Sequence, residues 1–513
     1  MTGDPWGLTG EAARAQVEAS FVALPLEGAG RAAIDAGLAL GAEHVDVRVS
    51  RQRSRSVTAR DAHAEGVSAD SATGVGVRVL VDGVWGFAAA DAVDTDSATQ
   101  LARRAVGLAR ICAPAAVERV HLADEPVHPG AAWASPVEVD PFDIAEAEVM
   151  SVLESRSDEL LRSRHVQRVE ASFSAARDVT YYADSAGTDT LQQRTRVASE
   201  LTAFNVGPSG FLDMRTCAPP VARGWEYVLG DGVWDWSAEL AALPEWLAEK
   251  AAAPSIEPGE YDLVLDPTNL WLTIHESVGH ATELDRALGY EANYAGTSFA
   301  TLSQLGQLRY GSELMNVTGD RTSAFGLATV GFDDEGVAAQ SFDLVRNGRL
   351  VGFQLDRRMA AEHAFGRSNG CAYADSAVHV PVQRMPNVSL RPAADGPELG
   401  GLLAGVTDGI YVVGDKSWSI DMQRYNFQFT GQRFFRVRSG RILGQVRDVA
   451  YQASTPRFWA SLAAVGGPGT YLLGGALNCG KAQPGQVAPV SHGCPAAVFS
   501  NVRVLNTERE AHA

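Results

Sequence analysis

The 513-residue sequence is 46% hydrophobic and 20% charged, and its net charge is −19. That balance describes a soluble globular protein long enough for two or three domains, and the negative charge excludes nucleic acid and anionic membrane surfaces as main partners, since phosphate binding needs a concentrated cationic patch. No apolar run reaches the roughly 18 residues of a membrane span, and residues 1–10 have neither the basic nor the apolar part of a secretory signal, so a cytoplasmic location is expected.

Five cysteines, Cys112, Cys217, Cys371, Cys479 and Cys494, are too few and too scattered for a disulfide framework, and reduced thiols are expected. Only Lys250, Lys416 and Lys481 are lysine among the 43 basic residues, a bias of composition.

Residues 11–18 and 30–40 read as helices, and 44–49 alternates polar and apolar as a strand does. Residues 74–80 run into Asp82-Gly83, the dipeptide of a type I′ hairpin, before 84–88. Residues 94–113 return to helix. Pro114, Pro126, Pro129, Pro136 and Pro141 mark 114–141 as a linker. An amphipathic helix is expected over 142–163, several strands over 166–205 with a turn at 184–188, and a helix over 236–252 with Leu240, Leu243, Trp246 and Leu247 as its apolar stripe. Pro254 and Pro258 then mark a boundary.

The expected fold class is α+β. Residues 1–253 form an N-terminal α/β region with units at about 30–113 and 137–253, and residues 254–513 form a domain of mainly antiparallel strands with a metal-binding helix. Hairpins are expected around Asn347-Gly348 and Ser439-Gly440. There is no internal repeat of 20 to 50 residues, and Gly74-Val75-Gly76 lacks the setting of a dinucleotide-binding loop.

The most informative stretch is Ile274-His275-Glu276-Ser277-Val278-Gly279-His280, an HExxxH run that reads as a zinc site in need of a third ligand. Asp266-Pro267 supplies an N-cap acceptor and a proline at the first helical position, so a helix is expected to begin near Pro267. The common HExxH pattern sets its histidines about 40° apart around a helix; a separation of five sets them about 140° apart. The two rings meet only if the helix is distorted between Glu276 and His280, either by an i to i+5 turn or by loosening at Gly279. The third ligand is sought near the C-terminus, where residues 466–493 are rich in glycine and proline. There Cys479 sits between Asn478 and Gly480, and a thiolate on a loop could be brought to the helix.

These motifs together resemble the TldD/PmbA family of zinc metallopeptidases, whose TldD-type members carry HExxxH and a C-terminal CGK-type motif, here Cys479-Gly480-Lys481. Further matching stretches are Gly74-Val75-Gly76-Val77-Arg78 with Gly86-Phe87-Ala88, then Asp333-Asp334-Glu335-Gly336, then Pro381-Val382-Gln383-Arg384-Met385-Pro386-Asn387. The resemblance runs over about residues 40–507. It implies Zn²⁺ held by His275, His280 and Cys479, with Glu276 as catalytic acid/base acting on a zinc-bound water. It implies a peptide or unfolded-protein substrate, including ribosomally synthesised modified peptides. It also implies a dimer, either a homodimer or a heterodimer with a PmbA/TldE-like subunit.

Histidine ligands usually need an outer acceptor to fix their tautomer, and Glu283 or Asp285 is placed to serve. Cys494 and His492 follow the CGK motif as a spare ligand, a redox partner or inert residues. His379, Arg384 and Asn387 have no assigned role beyond substrate contact or strand pairing. The expected function is zinc-dependent peptidase. The alternatives are a non-catalytic peptide-recruiting subunit, a zinc hydrolase of a non-peptide amide, and a closed structural zinc that would take Cys494 or His492 as fourth ligand.

Overall fold

The computed structural model describes residues 6–207, 210–230 and 232–510; part of the opening stretch read above for a signal sequence lies outside them. Among the described residues no helix is long and apolar enough to cross a membrane.

The N-terminal half is organised by two long hairpins, His44–Arg60 with His63–Val81 and Arg168–Asp184 with Asp189–Gly207. His44–Arg60 pairs antiparallel with Arg168–Asp184, so strands from both expected N-terminal units share one eight-stranded sheet. The period of two along a strand divides its faces. Odd positions such as Val45, Val47 and Val49 pack in one apolar cluster, which buries small residues of the helices Leu26–Ala39 and Thr95–Cys112. Farther along the same face, Val57, Ala59 and Phe173 pack in a second cluster with the helices Glu146–Leu161 and Trp236–Ala252. A polar belt separates the clusters, where Glu18 meets Arg51, Arg53 and Arg177.

Near Asp46, Arg48 and Ser50 the opposite face is polar yet buried, because the C-terminal half lies on it. Arg48 donates to the carbonyls of Ser376 and His379, Arg78 pairs with Glu335, and Gln192 and Arg196 donate to the carbonyls of Phe332 and Leu327. Asp178 is the counter-charge of Arg196 at 2.7 Å and of Arg194 at 3.3 Å. Burial works against the Asp178 carboxylate, but Arg196 and Arg194 outweigh it and hold it below its usual range. Asp178→Asn leaves a buried guanidinium unpaired and is expected to cost about 3–5 kcal/mol, read from the urea midpoint. The contribution is fully present above the unfolded carboxylate value of about 3.9 and is lost as pH falls through the lower folded value. The two proteins should therefore converge only in strong acid.

In the C-terminal half, Gly259–Leu265 pairs in parallel with Asp408–Ile420, which pairs with Asn426–Arg438. That strand continues to Val449–Ser454, then to Ala497–Asn506 and back to Gly259–Leu265, closing five strands into a ring. The helix Pro267–Ile274 follows the first of these strands, and all eight of its residues are buried, its polar Thr268, Asn269 and Thr273 being hydrogen-bonded to their surroundings. Asp266 caps it by accepting from the Thr268 backbone N–H at 3.0 Å. Asn269 ties it to the ring by donating to the carbonyls of Gly414 and Thr430 and accepting from the Tyr451 hydroxyl. Beside it lies the hairpin Leu472–Lys481 with Gln486–Cys494.

Candidate metal centre

The helix does not continue regularly. Residues His275–Gly279 form a π turn in which the His280 N–H donates to the His275 carbonyl five residues back. The distortion expected from the spacing is thus present, in its i to i+5 form. A wide turn leaves carbonyls that need other donors, and the structure supplies them. The Tyr310 hydroxyl donates to Ser277 O, the Thr282 hydroxyl to Val278 O, and the Gln354 amide to Gly279 O. Gly279 has an ordinary backbone conformation; a Cβ there would stand 2.5 Å from the Met385 sulfur, so the Met385 side chain packs directly on the glycine.

The π turn puts the His275 and His280 rings 4.6 Å apart. Cys479 reaches them from a strand, where a loop was expected, and its sulfur lies 3.7 Å from His280 Nε2. One donor atom from each of His275, His280 and Cys479 falls within 4.8 Å of the others, and all three residues are buried. Two nitrogens and a sulfur are the donor chemistry that zinc takes.

The hydrogen bonds assign the tautomers. His492 Nδ1 lies 2.9 Å from the Val388 carbonyl, which can only accept, so that nitrogen carries the proton and Nε2 is the acceptor. His275 Nδ1, 2.7 Å from His492 Nε2, is then the donor, and the lone pair of His275 is left on Nε2. His280 Nδ1 donates to Glu283 Oε2 at 2.9 Å, which leaves its Nε2 lone pair on the side of Cys479. Of the two carboxylates expected to orient a histidine, the structure selects Glu283. Burial holds His275 well below the usual imidazole range and lowers His280 to about 3 and His492 to about 4. In all three the shift favours the neutral imidazole. Burial raises the Cys479 thiol to about 11. Burial also works against the Glu283 carboxylate, but Lys481, His280 and Arg286 hold it well below its usual range.

Glu276 is buried beside the two histidines, and burial raises its pKa against the opposing charge of Arg424. Arg424 Nη1 donates to Glu276 Oε2 at 2.7 Å. His275, Glu276, His280 and Cys479 all line one cavity of about 570 Å³, whose far wall includes Ser199 and Arg215 of the N-terminal sheet.

Other expected residues lie around this group. His492 stands behind His275, stacked on Trp271, and the Cys494 thiol faces the Pro267 carbonyl at 3.6 Å. Arg384 donates to the carbonyls of Cys479 and Gln486, and Asn387 bridges the Ala328 and Ser491 N–H groups, so both hold the hairpin in place. Asp333 and Asp334 accept backbone N–H groups of Ala372 and Ala374, anchoring a loop. His379 pairs with Asp375 away from the histidine pair. Arg424 carries no motif of its own in the sequence; its one local signal is a tight polar turn, 421–425, closed by Asp421.

An α+β chain with two imidazoles and a thiol gathered next to a buried carboxylate has the make-up of a metal-dependent hydrolase. It belongs to the PmbA/TldD family of metallopeptidases: residues 258–506 match the PmbA/TldA metallopeptidase C-terminal domain and residues 45–109 match PmbA/TldA metallopeptidase domain 1. A metalloprotease of Methanothermobacter thermautotrophicus is 27% identical over 475 residues, 91% of this chain and 96% of its own. A zinc metalloprotease TldD homolog of Saccharolobus solfataricus is 26% identical over 227 residues, 44% of this chain and 47% of its own. TldE from Thermococcus kodakarensis has a similar fold, with a TM-score of 0.69 at 14% identity, covering 93% of this chain and 99% of its own.

Proposed function

We propose that this protein is a zinc-dependent peptidase that hydrolyses peptide bonds in unfolded or ribosomally made, modified peptides, with His275, His280 and Cys479 as ligands and Glu276 as general acid/base. The observation that carries this reading is the convergence of those three donors on the cavity that Glu276 lines. A zinc ion held there supplies a Lewis acid for a carbonyl oxygen and makes water acidic enough to ionise near neutral pH.

The protein's own groups do the rest. His492 and Glu283 keep both ligating nitrogens unprotonated and aimed. Arg424 donates to Glu276 Oε2 and counters the cost of burying the carboxylate, Trp418 adds a second hydrogen bond to it, and Glu276 takes a proton from water and passes it to the departing amine. The cavity between the N-terminal sheet and the Cys479 strand is read as the place of the peptide. The reading includes a second subunit, another copy or a PmbA/TldE-like chain, in line with the likeness to TldE.

The test is zinc content and cleavage of casein by the purified chain, alone and with a PmbA-like subunit. One zinc per chain with cleavage supports the reading, and a chain that takes no zinc overturns it. Within it, Arg424→Met should lower kcat by on the order of 10-fold or more while zinc content is unchanged, because the residue acts on Glu276 and touches no ligand. Arg424→Lys should recover part of the loss.

A further inference from the structure

Lys481 follows Cys479 by two residues on the strand Leu472–Lys481, so the two side chains share a face. It is 1% exposed. Its ammonium donates to Asp285 Oδ1 at 2.8 Å, to Gln383 Oε1 at 2.8 Å and to Glu283 Oε1 at 3.2 Å. That uses all three of its N–H donors. The other oxygen of Glu283 accepts from His280 Nδ1 at 2.9 Å and from Arg286 Nε at 3.1 Å. Each Glu283 oxygen is therefore fixed by a different cation, the one toward His280 by Arg286 and the other by Lys481, and the carboxylate is pinned at both ends.

The hairpin carrying Cys479 pairs with no third strand among the described residues. Its seat beside the π turn rests on side chains, Arg384 on the carbonyls of Cys479 and Gln486, and Lys481 on Glu283 and Asp285. Three acceptors converging on one point suit a compact ammonium, whereas a guanidinium spreads its donors along a planar fork.

We propose that Lys481 is a positioning residue of the metal centre, acting through Glu283 to hold the His280 imidazole in its ligating tautomer and orientation. This rests on the reading that His275, His280 and Cys479 bind zinc. Lys481 touches neither metal nor substrate.

The experiment uses the full-length chain as wild type, Lys481→Met, Lys481→Arg, Glu283→Gln and the Lys481→Met/Glu283→Gln pair. Zinc affinity is measured by competition with a chromophoric chelator, and cobalt substitution reports the ligand field through its visible absorption. Lys481→Met is expected to weaken zinc binding roughly 10–100-fold, the range for an outer partner of a ligand. Its cobalt bands should shift while its far-ultraviolet circular dichroism stays that of the wild type. The double variant should bind no more weakly than Glu283→Gln alone, since both changes act on one link. A purely structural role would give additive losses and unchanged cobalt bands in the folded fraction. Wild-type affinity with wild-type bands in Lys481→Met overturns the proposal, as do additive losses in the double variant. Should Lys481→Met fail to fold, Lys481→Arg decides: weaker binding supports the proposal, and wild-type binding overturns it. A wild type that binds neither zinc nor cobalt removes the metal reading itself and this inference with it.

Discussion

Replacing Glu276 by glutamine is expected to reduce casein cleavage by about 10²–10⁴-fold, the range for losing a general acid/base, with zinc content unchanged. Glutamine keeps the shape of the side chain and an oxygen for Arg424, yet takes up no proton. The carboxylate touches none of the three candidate ligands in the hydrogen-bond pattern: His275 is held by His492, His280 by Glu283, and the Cys479 carbonyl by Arg384. The variant loses the counter-charge of a buried arginine, so its unfolding midpoint serves as a control. Full activity in Glu276→Gln would remove the acid/base role, and loss of zinc would mean that Glu276 serves the metal.

Cys479→Ser is expected to weaken zinc binding beyond the roughly 10–100-fold that an outer partner supplies, because a thiol donor itself is exchanged for a hydroxyl. The consequence extends to stability, since the donors lie on separate elements, the π turn at His275–Gly279 and the strand Leu472–Lys481. A ligand present at about 1,000 times its Kd stabilises the folded chain by about 4 kcal/mol. Chelation should therefore lower the unfolding midpoint of the wild type and lower that of Cys479→Ser by less. Equal responses to chelator in the two proteins would count against Cys479 as a ligand.

The parts of this centre governed by local chemistry were legible in the sequence. Asp266-Pro267 announces the helix start because a cap and its helix are neighbours. A distortion between Glu276 and His280 follows from arithmetic, since two histidines five apart face different ways on a regular helix; that it takes the form of a π turn came only from the structure. The seating of Cys479 was not legible. Its stretch, with Gly474, Gly475 and Gly480, reads as a loop, yet it is a strand. A Cβ at Gly474 would stand 2.5 Å from the Trp271 ring and one at Gly475 would stand 2.5 Å from the Val490 carbonyl. Those glycines serve close approach, a tertiary demand invisible along the chain.

Distance hid the supporting residues as well. His492 is 217 residues from the histidine it orients, and Arg424 is 148 residues from Glu276. In the N-terminal half, strand positions such as Asp46, Arg48 and Arg78 alternate with valines, which reads as a solvated face. They are buried because the C-terminal half covers that face; it supplies Glu335 for Arg78 and the Ser376 carbonyl for Arg48, while Asp46 pairs with Arg78 within the sheet.

The central claim is that two imidazoles and one thiolate hold a single zinc ion. X-ray absorption at the zinc edge of the purified chain tests it most directly. The expected shell holds one sulfur and two imidazole nitrogens, and the sulfur should vanish from it in Cys479→Ser. A zinc shell of nitrogen and oxygen only in the wild type, or a chain that takes up no zinc, would contradict it.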